Sequence, residues 1–180
     1  AERVAARPEG TATERLVHIT VEPRSGRNME RTAVIMKLND EQARRTRITY
    51  TAPKMGRGTA FLVHDLHAEG AEDPRWLHIP ATRKTRRIPA GDRWKAFQGT
   101  DFSYGDMQSE LKFDLADYEF RYEGRAATAC GVLYRLSGTP RTDAIARELG
   151  YGGFEAVIDA TTWLPLSIDF TDVDGRPLKT

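Results

Sequence analysis

The chain is short of three things, and each shortage removes a class of protein. It has one cysteine, Cys130, in 180 residues, so no intrachain disulfide can form and the redox compartment stays open. Cys130 falls between Ala129 and Gly131 on a β-patterned stretch, the setting of a buried, unreactive thiol. Net charge is nearly absent: 27 lysines and arginines stand against 26 aspartates and glutamates. No global field therefore draws the chain to nucleic acid or an anionic membrane, and an electrostatic partner must be met by a local patch. Long apolar runs are missing too; none nears the roughly 20 residues that cross a bilayer as a helix. Neither an initiator Met nor a basic-then-apolar leader opens the sequence, as expected of a chain whose targeting segment was removed or whose ends were trimmed.

What is present is alternation. An apolar fraction of 39% and a charged fraction of 29% suit a globular domain. The dominant period is two. Val17, Ile19 and Val21 alternate with His18 and Thr20. Val34, Met36 and Leu38 share a face, as do Ile48 and Tyr50, Tyr118, Phe120 and Tyr122, and Leu166, Ile168 and Phe170. Such spacing places apolar side chains on one side of a half-buried strand. Turn signals separate the segments: Pro23–Gly26, Asn39-Asp40, Gly124-Arg125, Thr161-Thr162 and Val173–Pro177. The chain reads as one antiparallel meander of about nine strands. A sheet that wide must curl, split or close. Helices are few. Ala1–Arg7 reads as the end of one, and Thr142–Leu149 as another, with Thr142 as N-cap and Gly150 as stop.

Two clusters interrupt the alternation. Trp76, Trp94, Phe97, Phe102 and Tyr104 gather where it fails, as at a cavity rim or lid, or in a satellite core under a long loop. Within this stretch, Gly99-Thr100-Asp101-Phe102-Ser103-Tyr104-Gly105-Asp106-Met107 sets two aromatics beside two carboxylates. Asp101 and Ser103 can cap a short helix beginning near Tyr104, with Asp106 in its first turn, where the helix dipole favours a carboxylate. Arg83, Lys84, Arg86 and Arg87 form the dense basic cluster, with Arg75 and Arg93 near. It suits a solvated strand edge, a dock for an acidic partner or lipid headgroup, or a phosphate contact. His64, His67 and His78 lack metal-ligand spacing. Ser103, His64 and Asp101 lack the elbow and oxyanion loop of a hydrolase. No phosphate loop or dinucleotide fingerprint occurs, and no cofactor is expected.

The Gly99–Met107 motif, with Lys54–Leu62 and Trp76–Pro80 upstream, resembles the outer-membrane lipoprotein-sorting family. These are LolA-like periplasmic lipid carriers that often accompany transporters of the RND type. The resemblance covers roughly Thr13 to Thr180 and is most specific over Gly58–Met107. The motif carries over as Gly99, Thr100, Asp101, Phe102, Ser103, Tyr104 and Asp106; Gly105 stands where an acidic residue is expected and Met107 where a leucine is.

The resemblance implies a mainly β (α+β) fold: a strongly curved antiparallel sheet forming an incomplete barrel, with a few short helices. It implies one domain over 1–180, shortened at its N-terminal helix and missing C-terminal strands. It also implies a periplasmic, non-enzymatic carrier of lipid or lipoprotein acyl chains, serving an inner-membrane transporter and an outer-membrane acceptor with passing membrane-surface contact. Expected cavity or rim residues are Val34, Met36, Tyr50, Phe61, Val63, Trp76, Trp94, Phe97, Phe102, Tyr104, Phe120, Tyr122 and Ile168. Apolar residues at period two also build plain core, so an interaction module with a filled interior is the alternative. An acyl-substrate enzyme and a nucleic-acid binder follow behind.

Overall fold

Alternation of the kind in Ile48-Thr49-Tyr50 needs a neighbouring strand to satisfy its backbone and a partner layer to cover its apolar side. A computed structural model shows both. It describes residues 1–7, 10–23, 26–68, 71–92, 94–109, 115–129 and 131–180. Cys130, Arg93 and the Arg24-Ser25 centre of the first turn lie outside the described residues. The chain groups into two compact units, one spanning 9–108, the other 1–8 with 109–180.

The first unit holds six antiparallel strands in sequence order: β1 (Ala12–Val21), β2 (Met29–Asn39), β3 (Ala43–Ala52), β4 (Ala60–Leu66), β5 (Arg75–Ile79) and β6 (Lys84–Arg87). The second holds five, likewise each beside its sequence neighbour: β7 (Tyr118–Thr128), β8 (Gly131–Pro140), β9 (Gly153–Asp159), β10 (Pro165–Thr171) and β11 (Pro177–Lys179). Neither sheet closes on itself. The helices are short: α1 (Glu2–Ala5), α2 (Tyr104–Ser109) and α3 (Asp143–Leu149). The mainly antiparallel fold of the incomplete-barrel class is thus present, with two corrections. There are eleven strands among the described residues, not about nine, and they form two sheets, not one meander. The physical reason is visible in the sequence: the stretch after β6 breaks alternation, so no ladder can run through it.

Local chemistry ends the strands where expected. Between β2 and β3, one oxygen of Asp40 accepts the N–H groups of Gln42 (2.9 Å) and Ala43 (3.0 Å). Between β9 and β10, Asp159 accepts from Thr161 (3.0 Å) and Thr162 (2.6 Å). Before β11, Asp172 accepts from Asp174 (2.9 Å) and Arg176 (2.8 Å). Donors converging on a carboxylate favour its charged form. The Gln42 N–H, the Arg45 side chain and the Ala43 N–H hold Asp40 down at about 2. The Thr162 N–H and hydroxyl likewise pull Asp159 below its ordinary value. Thr142 caps α3 as expected, accepting from the Ile145 N–H at 3.2 Å, and Gly150 ends it in the left-handed conformation.

The five-stranded sheet covers its apolar face with rings. Phe154 lies 5.2 Å from Tyr118 and 5.8 Å from Phe170 between ring centroids. The Phe154 ring rests over Gly138, where an added Cβ would stand 2.3 Å from a ring carbon. Period two misleads at two places here. Leu166 is 60% exposed because the β9–β10 register shifts between Pro165 and Ser167, so Leu166 leaves the face shared by Ile168 and Phe170. Tyr122 is 61% exposed and adjoins the register shift that precedes Gly124.

Two outcomes check this account. Gly138→Val should lower stability by about 1–3 kcal/mol by displacing the Phe154 ring, read by chemical denaturation; unchanged stability would contradict the packing. Because the Asp40 and Asp159 values are depressed in the folded chain, their contribution is complete above the ordinary carboxylate value of about 3.9. It should drain away as pH falls below that, for Asp40 down towards about 2, and Asp40→Asn should flatten part of this acid loss in a pH series of thermal melts.

Candidate functional site

The six-stranded sheet has one face that must be covered. Cross-strand registers place Ala33, Tyr50, Ile48, Phe61 and Leu77 on the same side. All five are at most 4% exposed. The cover comes from the irregular stretch after β6: Ile88, Phe97 and Tyr104 join this core, and Phe102 and Met107 pack against it half-buried. Phe97 and Tyr104 meet edge to face at 5.3 Å, and Phe61 reaches both, at 5.5 and 5.3 Å. Such tilted and edge-on ring pairs add to burial a further gain of roughly 0.5–1.5 kcal/mol each.

Backbone and cap chemistry hold the covering segment in place. The Phe97 N–H donates to the Phe102 carbonyl at 2.5 Å, and the Thr100 hydroxyl donates to the Phe97 carbonyl at 2.8 Å. Gly99 takes φ +74°, which suits a residue without a Cβ, and Gln98 beside it takes φ +52°. At the start of α2, Ser103 and Asp106 form a reciprocal cap. The Ser103 N–H donates to the Asp106 carboxylate at 2.6 Å, while the Asp106 N–H donates to the Ser103 hydroxyl oxygen at 3.0 Å. Both residues are buried. The Ser103 hydroxyl also donates to Asp106, at 3.0 Å, so its hydrogen bonds are committed to the cap. His64 alternates with the buried Val63 and points to the other face of β4, where it meets Trp76 at 5.1 Å. Tyr104, next to Ser103, packs on Phe61 and so on the opposite side. A Ser103–His64 pairing has no geometric basis. Burial first, and then the Arg45 charge, lower the His64 value from its ordinary 6.5.

The expected rim and wall residues thus divide. Tyr50, Phe61, Val63, Phe97 and Tyr104 converge in one core, with Phe102 on its margin. Val34 and Met36 lie on the opposite face of β2 from Ala33, and Met36 is 38% exposed. Trp76 is half-buried beside His64, and Trp94 is half-buried in the turn before Phe97. Phe120, Tyr122 and Ile168 belong to the five-stranded sheet. Arg83 sits in the left-handed conformation and leads into β6, where Lys84, Arg86 and Arg87 are all exposed. Strand β6 pairs with β5 alone among the described residues, so this basic stretch is a sheet edge.

A pocket of about 400 Å³ opens where the covering segment meets the end of β2 and β3. Met29, Tyr50, Ala52, Pro53 and Met55 supply apolar wall, Gly56 at the end of a short 3₁₀ turn and Thr59 add to the lining, and Glu30, Arg31 and Gln98 form the polar part. Met55 is 96% exposed, so the pocket communicates with solvent on that side. Arg31 donates to the Gln98 carbonyl and, at 3.4 Å, to the Tyr50 hydroxyl, with its guanidinium 5.4 Å over the Tyr50 ring. Burial raises the Tyr50 value above its ordinary 10, with Arg31 opposing. Of these residues only Tyr50 is legible as a site residue in the sequence. The available signal was the Pro53–Gly56 turn flanking the Tyr50 strand, with an apolar Met55 at its tip. Among the described residues no group of three metal-ligating side chains comes together, and no helix is long and apolar enough to cross a membrane.

Comparison with known proteins places this geometry. A family model described as an uncharacterized protein matches residues 42–180. No curated protein matches the chain. Among solved structures, a domain described as an outer membrane lipoprotein-sorting protein from Vibrio parahaemolyticus is similar at 23% identity and a TM-score of 0.68, covering 98% of this chain and 72% of that one. A DUF1329 family protein from Desulfovibrio piger gives 20% identity and 0.69, covering 98% and 71%. A LolA superfamily protein from Nitrosomonas europaea gives 15% and 0.56, again covering 98% and 71%. At these identities the likeness is one of fold, and the fold is that of the lipoprotein-sorting structures, as the resemblance of the motif implied.

Phe97→Ala should cost about 3–5 kcal/mol, as expected for emptying a buried aromatic site. Ser103→Ala should cost about 1 kcal/mol through loss of the cap. Denaturant titration of the two variants checks both, and a Ser103→Ala loss as large as that of Phe97→Ala would contradict the assigned roles.

Proposed function

The chain belongs to the uncharacterized family whose model spans residues 42–180, and we propose that it is a periplasmic carrier that holds the acyl chain of a lipid or lipoprotein and passes it between membrane partners. The observation that carries this reading is the solvent-connected pocket of about 400 Å³ walled by Met29, Tyr50, Ala52, Pro53 and Met55. That volume lies within the usual range for small-ligand sites, about 300–1,000 Å³. Eight buried methylenes would contribute on the order of 6 kcal/mol before ordering costs. Affinity of that size holds cargo without trapping it. Methionine suits such a wall, because its unbranched chain refills irregular space as the guest changes.

Carriage needs no catalysis. Cargo moves when docking lowers the affinity of the loaded state below that of the acceptor. The donor would be an inner-membrane transporter and the acceptor an outer-membrane receiver, the partners that the resemblance of the Gly99–Met107 motif implies. The exposed edge formed by Arg83, Lys84, Arg86 and Arg87 supports docking to an anionic surface on such a partner or its headgroups. A specific observation favours a second reading: Phe61, Phe97 and Tyr104 fill the middle of the covered face. A non-enzymatic module of an envelope transporter would have such an interior.

Binding separates the two. Wild-type chain titrated with a fluorescent acyl probe should take up one molecule with micromolar affinity. Gly56 lines the pocket, and a Cβ there would meet nothing within 4 Å. Gly56→Phe should therefore weaken probe binding about tenfold while the melting midpoint moves only a few degrees. A wild-type chain that takes up no acyl probe and carries no co-purifying lipid contradicts the carrier and leaves the module.

A further inference from the structure

The pocket is not uniformly apolar, and the exception is a cation. Arg31 lies on β2 next to Met29 and Glu30 and lines the pocket beside Tyr50 and Gln98. A guanidinium brings five N–H donors. Here one terminal nitrogen serves both the Gln98 carbonyl and the Tyr50 hydroxyl. The second terminal nitrogen lies toward Gly99, 3.9 Å from where a Cβ on that residue would stand. No carboxylate among the described residues pairs with Arg31. Three arginines elsewhere in the same sheet do have carboxylate partners: Arg44 pairs with Asp65, Arg45 with Asp40 and Arg75 with Asp73. A half-buried arginine whose own chain supplies two neutral acceptors and no anion keeps a full positive charge and unspent donors in a place of reduced dielectric. Glu30 also lines the pocket, but it is exposed and makes no ion pair with Arg31.

We propose that Arg31 is the headgroup anchor of this pocket, and that the ligand is a single-chain amphiphile with an anionic head, a carboxylate or a phosphate, whose tail runs along Met29, Ala52, Pro53 and Met55. The inference rests on the carrier reading, since it adds a head to the tail that the reading places there. Planar guanidinium N–H pairs match the oxygens of either head, and charge-assisted bonds of this kind are about twice as strong as neutral ones. The Tyr50 ring lies 5.4 Å from the guanidinium carbon and its hydroxyl accepts from the guanidinium, so the same residue holds the cation at the pocket. Gly99 leaves room beside the second nitrogen for an oxygen to approach.

The test compares three ligands of equal tail: dodecanoate, dodecyl phosphate and dodecanol, each displacing a neutral fluorescent probe from the full chain at neutral pH. Wild type should bind the two anions at least tenfold more tightly than dodecanol. A lead for dodecanoate assigns free fatty acids as cargo, and a lead for dodecyl phosphate assigns phosphorylated lipids; either supports the anchor. Arg31→Met should erase the preference of the anions over dodecanol, and Arg31→Lys should restore part of it. Should Arg31→Met fail to fold, wild type still decides: acidification that protonates dodecanoate should remove its advantage and leave dodecanol unchanged. Equal binding of all three by wild type, or a preference that survives in folded Arg31→Met, overturns the anchor and leaves tail binding intact. Failure of all three to bind overturns the carrier reading itself.

Discussion

An apolar sheet face bearing Ile48, Tyr50, Phe61 and Leu77 cannot stand in water, and the rest of the first unit follows from how it is covered. No helix of ordinary length does so among the described residues. The cover is one irregular segment that lays Phe97 and Tyr104 across Phe61 and turns back on itself through Gln98 and Gly99. A segment without a ladder must satisfy its backbone locally. Thr100 closes the first turn, and the Ser103–Asp106 cap starts the short helix that presents Tyr104. Burial and capping are therefore one device. The rings give the segment a reason to stay, and the cap gives the rings their direction.

A cover built from a loop has an edge, and the pocket is at that edge. The aromatic core fills the middle of the sheet face, while the ends of β2 and β3 extend beyond Phe97 and are flanked by the 3₁₀ turn carrying Met55. Space remains there because neither element reaches across. The wall is soft, with two methionines, and its cation, Arg31, has no carboxylate partner among the described residues. Those properties suit the proposed cargo, a flexible tail with an anionic head. The Ser103 hydroxyl, for its part, is committed to the cap of α2.

Much of this was legible in the sequence. Period two located β1, β2, β3, β7 and β10, Thr142 and Gly150 bounded α3, and the composition of the Gly99–Met107 stretch marked a structured connector whose serine would cap a helix. What period two could not do was choose a face. On β2, Val34, Met36 and Leu38 alternate with Ala33 and Ile35, so both sides look apolar; the buried side is that of Ala33, and Leu38 is 58% exposed. The signal also fails wherever a register shift intervenes, as at Leu166, because a one-residue slip reverses every later side chain. Arg31 and Met55 were illegible for a different reason. Each is a single residue whose meaning depends on a turn and a loop brought together from distant parts of the chain.

The most direct measurement is photo-cross-linking with a twelve-carbon fatty acid carrying a diazirine near the end of its tail, followed by peptide mass spectrometry of the labelled chain. The account requires label on the peptides that hold Met29 and Ala52–Thr59, competed away by unlabelled dodecanoate. Label confined to other peptides, or no competable label at all, would contradict it.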